Sequence, residues 1–153
     1  MHRQHRGFTL LEIMVVVAIV ALATASVTLA LRDDSGTRLE REAMRLSAML
    51  ESARAQSRTS GLPVVWRPAP HGFEFIGLPA DRGGDRPADV REGLHAWLNT
   101  DTGVRVVQPP GASNLVLGPE PLIPAQRLVL ALGERRVTLG TDGLGPFGVV
   151  NEP

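Results

Sequence analysis

Glu12 places a carboxylate at the start of the most apolar stretch of the 153-residue chain. Residues 13–31 contain no charge, no Pro and no Gly, and as a helix these 19 residues would span roughly 28 Å, about one hydrocarbon core. A carboxylate within a membrane segment costs about 2.5–3.5 kcal/mol near the centre and less at the edge. Glu12 is therefore a candidate functional residue whose partner has to be identified.

A second group of carboxylates recurs at Asp81, Asp85 and Asp89, with Glu92 nearby. Carboxylate oxygens are the ligands that calcium prefers. Arginines are interleaved with these residues, however, and the spacing does not match an EF-hand. We interpret residues 79–93 as a solvated loop and predict no metal site there.

No combination of residues in the sequence indicates an active site. His71 and His95 are far apart and lack metal-ligand spacing, so we predict a turn residue and a strand residue. The glycine-rich runs lack the spacing of a phosphate-binding loop, and the chain has no Lys. Trp66 and Trp97 are interpreted as packing residues. The sequence thus predicts no enzyme, no catalytic residue, no metal and no cofactor.

Composition excludes some partners. The formal net charge is zero, with 16 basic and 16 acidic side chains, so no basic excess favours nucleic acid. The chain has no Cys, which excludes disulfides and thiolate metal sites. Arg3 and Arg6 precede the apolar stretch, and the positive-inside bias predicts a cytoplasmic N-terminus with the bulk of the chain in the periplasm.

A second amphipathic helix pattern follows the apolar stretch. The residues Asp33 to Gly36 weaken a helix, and Thr37 with Glu40 forms a capping-box pattern, so the helix either continues with a bend or restarts at Thr37. A stripe of apolar residues has spacings of four and three, and the charged residues of this segment are predicted to lie largely off it. The stripe comprises Leu39, Ala43, Leu46, Leu50 and Ala53; the charged residues are Arg38, Arg41, Glu42, Arg45, Glu51 and Arg54.

The remaining sequence alternates between short strand-like segments and turns. A hairpin is predicted around the turn 68–72, and Gly133-Glu134 fits a two-residue type II′ hairpin turn. Residues 109–124, rich in Pro and Gly, are predicted to be a loop. The predicted strands are 64–67, 73–77, 104–107, 115–117, 128–132, 137–139 and 147–150. The expected fold class is α+β, with the long helix packed on one small antiparallel sheet.

The string Gly7-Phe8-Thr9-Leu10-Leu11-Glu12, joined to this apolar stretch, resembles the prepilin signature of type IV pilins and type II secretion pseudopilins. The resemblance implies cleavage between Gly7 and Phe8 by a prepilin peptidase, N-methylation of Phe8, and a pilin-like fold. It also implies that Glu12 meets the freed α-amino group of a neighbouring subunit. Residues 53–64 and the run Asp142 to Phe147 resemble the H-type minor pseudopilins more weakly.

This resemblance implies a structural subunit near the tip of a periplasmic pseudopilus that supports export of folded proteins. The implied partners are the major pseudopilin, other minor pseudopilins, the prepilin peptidase and the inner-membrane assembly platform. The expected organisation is a leader at 1–7, a membrane and filament-core helix at 8–31, a periplasmic helix half at 32–61 and a β-rich domain at 62–153.

Other interpretations remain open at this point. The same N-terminal segment fits a minor pilin of a type IV pilus or a DNA-uptake pseudopilus. An ordinary signal peptide ahead of a periplasmic enzyme or binding protein would give a mature N-terminus at Ser26. A plain membrane anchor, or a buried soluble helix, would leave Glu12 without a role in assembly.

Overall fold

The structure is a computed structural model that describes residues 10–78 and 90–150, without the side chains of residues 26–34. The chain divides into two units between Asp34 and Ser35. The predicted leader, residues 1–7, and the carboxylates Asp81, Asp85 and Asp89 lie outside the described residues.

One helix, α1, runs from Leu10 to Ser60. Its backbone is helical through residues 33–37, so the helix does not restart at Thr37. The predicted apolar stripe is confirmed, because every member of it is at most 1% exposed. The prediction for the charged residues is wrong at two positions, since Glu42 and Arg54 are 1% and 2% exposed.

Eight strands follow the helix, and they form two four-stranded antiparallel sheets rather than the single sheet predicted. The first sheet has the order β3-β2-β1-β5 and the second β4-β6-β7-β8. Most predicted strands are confirmed, but β3 was not predicted as a separate strand. The strands are β1 (Val64–Ala69), β2 (Gly72–Ile76), β3 (Gly93–Ala96), β4 (Gly103–Gln108), β5 (Leu115–Leu117), β6 (Gln126–Leu132), β7 (Arg135–Thr141) and β8 (Gly148–Val150).

The first hairpin is tighter than predicted. Ala69 pairs with Gly72, so the turn consists of Pro70 and His71. Pro68 lies within β1, although proline has no N–H to donate to a sheet. The strand tolerates it because β5 pairs only with residues 64–66, which leaves that edge of β1 open at Pro68.

The hairpin between β6 and β7 is confirmed. Leu132 pairs with Arg135, so Gly133 and Glu134 form the loop. Gly133 has a φ of 59°, the positive value that the first position of a type II′ turn requires. A residue with a Cβ would be strained at this position.

A single hydrophobic core within the second unit joins α1 to both sheets. Alternate residues of each strand point into it, as the period of a strand requires. Trp66 and Phe73 are fully buried, and Trp97 is 5% exposed, which agrees with the packing role predicted for both tryptophans. The ring centroids of Phe73 and Trp97 lie 4.7 Å apart.

Candidate assembly site

The N-terminal part of α1 presents an apolar surface on all sides. Every described side chain from residue 10 to residue 25 is exposed. Soluble monomers rarely expose apolar surface this extensive, so such a helix is stable only when lipid or other helices cover it. The large apolar side chains that are 49–79% exposed are Leu10, Leu11, Ile13, Met14, Val15, Val16, Val17, Ile19, Val20 and Leu22.

Glu12 lies in the first turn of α1, among these apolar residues, and its side chain is exposed. Glu12 carries the only acidic group among residues 10–25.

The processing residues Gly7 and Phe8 lie outside the described residues, so cleavage between them stays a prediction. Among the parts of the chain that the structure describes, no helix has both the length and the apolar character needed to cross a membrane.

Polar side chains on the second half of α1 are hydrogen-bonded to backbone atoms of the loops that flank the strands and of the last residue of β3. The sequence pattern did not reveal these contacts, because it separates apolar from polar positions without indicating which polar groups are buried. The contacts are Glu42 with Leu98 N, Arg45 with Ala96 O, Ser47 with Phe147 O, Glu51 with Phe147 N, Arg54 with Gly143 O and Gly145 O, and Ser57 with Leu62 O.

Arg54 is the larger of the two buried charged residues of this set. Its guanidinium donates to Gly143 O at 2.7 Å and to Gly145 O at 2.9 Å. A carboxylate oxygen of Glu51 lies 3.7 Å from the Nη1 atom. A buried cation needs such compensation, so Arg54 fixes the run 142–147 against the helix.

The backbone of this run is shaped to meet Arg54. Gly143 has a φ of 92°, and a Cβ there would lie 1.9 Å from Ile123 O, so only glycine fits. Its N–H donates to Thr141 Oγ1 at 2.9 Å. The Gly-rich sequence, predicted only as a family resemblance, therefore has a packing reason.

Asp142 stabilises the same run from outside. Its Oδ1 accepts hydrogen bonds from Gly145 N at 2.7 Å and Leu144 N at 2.9 Å. These N–H groups, Gly145 first, hold the pKa of Asp142 below its ordinary value of 3.8. These hydrogen bonds favour the ionised carboxylate. Their contribution to the stability of the fold is therefore present above pH 3.8 and is lost as the pH falls through the lower pKa of the folded state.

Replacing Ser57 by Ala is expected to lower the free energy of unfolding by about 1–2 kcal/mol, because Leu62 O loses the hydroxyl donor that the buried Ser57 supplies at 2.6 Å in a partly buried contact. Ser52→Ala is the matched control, since both changes have the same effect on helix propensity. Ser52 is half-buried, and its hydroxyl accepts a longer bond, 3.4 Å, from Gln56. Denaturant unfolding measures both variants, and equal stability of the two would contradict a role for the Ser57 contact.

The histidines have the structural surroundings that the sequence predicts. His71 lies in the first hairpin turn with a φ of 59°, and His95 stacks on Phe73 with 5.4 Å between ring centroids. In the described ranges 10–78 and 90–150, no group of three or more His, Asp or Glu residues is placed to hold a metal ion.

The N-terminal sequence matches a known family model. Residues 2–28 match the prokaryotic N-terminal methylation motif. This range includes Gly7, Phe8 and Glu12, the residues on which the predicted resemblance rests. No solved structure matches the chain significantly.

Two curated relatives extend the similarity beyond this motif. The type II secretion system protein H of Aeromonas hydrophila is 38% identical over 77 residues, which cover 48% of this chain and 42% of the relative. The protein of the same name from Escherichia coli (strain K12) is 37% identical over 110 residues, which cover 62% of this chain and 64% of the relative. The matches thus span less than two thirds of either relative's length. Together with the methylation motif they confirm the predicted resemblance: the chain carries the N-terminal methylation motif and is similar to type II secretion system protein H of both species.

Proposed function

We propose that this chain is a structural minor pseudopilin of a type II secretion pseudopilus, located near its tip, which supports export of folded proteins across the outer membrane. The observation that carries the proposal is the methylation motif at residues 2–28, joined to a helix whose apolar side chains are exposed on all sides. The names of the two relatives support the choice of secretion over a pilus.

In the proposed mechanism, the helix 8–31 spans the inner membrane and then leaves it to pack with equivalent helices in the filament core. Two unit charges about 4 Å apart gain roughly 4 kcal/mol at an effective dielectric constant near 20. This gain is comparable with the cost of burying a carboxylate, about 2.5–3.5 kcal/mol. A Glu12 carboxylate that meets the α-amino group of Phe8 on a neighbouring subunit would therefore favour assembly and fix the register of the helices.

The proposed topology follows from the same helix. Residues 1–7 form a cytoplasmic leader, residues 32–61 the periplasmic half of the helix, and residues 62–153 the globular domain exposed on the filament. The proposed partners are the major pseudopilin, other minor pseudopilins, the prepilin peptidase and the assembly platform of the inner membrane. The role is mechanical rather than catalytic.

The N-terminus of the native mature protein tests this proposal. We expect intact-mass and terminal-peptide mass spectrometry to find a chain that begins with N-methylated Phe8. A chain that begins at Ser26 would indicate an ordinary signal peptide, and an untrimmed chain that begins at Met1 would indicate a plain anchor. Either result would overturn the assembly role.

A further inference from the structure

The charged residues on the strands of the second sheet are all positive. Strands β4, β6, β7 and β8 contain four arginines and no acidic residue. Three of these arginines, Arg105, Arg127 and Arg136, are exposed on the face of the sheet that points away from the core. The alternation along β6 identifies this face, since Leu128 and Leu130 are fully buried and the residues between them point outward. We call this outward surface of β4, β6 and β7 the arginine face.

Paired residues that face outward on neighbouring strands form rows across the sheet. The register places one arginine in each of three successive rows of this kind. Arg136 on β7 pairs with Ala131, and Arg105 on β4 pairs with Val129. Arg127, on β6 itself, forms the third row. Outward rows follow one another every two residues, about 6.6–6.8 Å along a strand. Along the strand direction the cations are therefore spaced at the repeat of an extended chain. Because they lie on three neighbouring strands, they are also displaced sideways by one or two strand separations of about 4.8 Å.

These three arginines have no carboxylate partner within the described residues, whereas Arg45, Arg54 and Arg67 of the same unit each lie within 4.0 Å of a glutamate carboxylate. An unpaired guanidinium on a strand keeps its hydrogen-bonding capacity for a second molecule. Its planar fork matches a carboxylate, to which it donates two parallel hydrogen bonds.

The arginine face is concave between the rows of Arg136 and Arg105. A depression of about 640 Å³ is lined by Arg105 and Arg136 at its rim and by Val129, Ala131 and Thr138 on its floor. The floor is made of small or β-branched side chains, which leaves room for another chain to lie along the strands. A concave surface of this kind suits a protein segment better than a flat layer of lipid headgroups.

We propose that the arginine face binds an extended segment of a partner protein that carries acidic side chains at alternate positions. Side chains on one face of an extended segment repeat at the same distance as the outward rows of the sheet. The carboxylates meet the guanidinium groups, while the backbone and the intervening residues cover the apolar floor. The inference concerns the globular domain alone and does not depend on the role of Glu12 in assembly.

The probe is a fluorescent peptide of about six Glu-Ser repeats, in which one face of the extended chain carries all the carboxylates. Its binding to the full-length protein in detergent is measured by fluorescence anisotropy. A peptide of the same composition, with the glutamates in one block and the serines in another, is the matched control. We expect the alternating peptide to bind at least about threefold tighter, and binding to weaken with added salt.

The variant that tests the site combines Arg105→Gln, Arg127→Gln and Arg136→Gln. We expect it to lose about tenfold or more in affinity for the alternating peptide, because three exposed charge pairs are removed together. The matched control combines Arg41→Gln, Arg58→Gln and Arg91→Gln, which remove the same charge from other exposed positions. Its affinity should stay within about twofold of the unchanged protein.

Three results would overturn the proposal: no binding of the alternating peptide, equal binding of the two peptides, or equal losses in the two triple variants. Tighter binding of the protein to phosphatidylglycerol vesicles than to the alternating peptide, lost only in the variant with Arg105, Arg127 and Arg136 replaced, would assign the surface to lipid. This result would also overturn the proposal. Tryptophan fluorescence checks that both variants are folded, since Trp66 and Trp97 report on the core.

Discussion

Replacement of Arg54 by methionine is expected to lower the free energy of unfolding by about 2–5 kcal/mol. Methionine fills a similar volume, so the loss comes from the hydrogen bonds rather than from a cavity. The carbonyl oxygens of Gly143 and Gly145 lose donors at 2.7 and 2.9 Å, and they lie in a buried or partly buried region. Denaturant unfolding of the full-length protein in detergent, followed by the fluorescence of Trp66 and Trp97, measures the change.

Arg58→Met is the matched control for this prediction. Arg58 lies one turn further along α1, in its last turn, and is exposed. Exposed charged side chains contribute little, so this variant should change the free energy of unfolding by less than about 1 kcal/mol. If Arg54→Met were as stable as Arg58→Met, the run 142–147 would not depend on the buried guanidinium.

Substitution of Glu12 by valine is expected to remove the protein from filaments while leaving its membrane insertion intact or improved. Insertion no longer buries a carboxylate, which costs about 2.5–3.5 kcal/mol at the centre of a membrane and less at its edge. Assembly loses an ion pair of roughly 4 kcal/mol, equivalent to a decrease of several hundredfold in association. The measurement compares the amount of protein in the membrane fraction with the amount in sheared pseudopili.

Glu40→Val provides the same change in charge and shape at an exposed position of the second half of α1. It should enter filaments as the unchanged protein does, because nothing in the proposed core contact uses that residue. Wild-type incorporation of Glu12→Val would show that its carboxylate has no role in assembly, whatever the N-terminus of the mature chain proves to be.

The second half of α1 was predictable because its chemistry is periodic. Leu39, Leu46 and Leu50 recur at helical spacing, and burial of that stripe depends only on the spacing. The hairpin at Gly133 was predictable for a similar reason, since a two-residue turn places local demands on φ. Residue spacing and turn-forming residue types can be identified directly from the sequence.

The division into two sheets could not be predicted, because alternation along a strand identifies its buried face but not its neighbours. Leu115 and Leu128 are both fully buried strand residues, yet they belong to different sheets. Strand β3 was missed because it is short and only half-buried, and Leu94, 66% exposed, gives it no clear apolar face.

The candidate site likewise includes one residue that the sequence identifies and one that it does not. Glu12 stood out in the sequence because a lone charge in an apolar stretch is a local anomaly. Arg54 did not, because its acceptors, Gly143 O and Gly145 O, are backbone atoms about 90 positions further along the chain. A buried cation that is paired with carbonyl oxygens has no sequence signal on the partner side except a run rich in glycine.

The contacts from α1 to the loops have a consequence for how the surface of this protein can diverge. The partner atoms of these side chains are main-chain atoms. A substitution in the loops therefore preserves them unless it changes the backbone conformation. Leu144, 75% exposed within the anchored run, can therefore be exchanged for other residues while the run keeps its attachment to the helix. Relatives of this chain are free to evolve new recognition surfaces on these loops without having to find a new way of holding them in place.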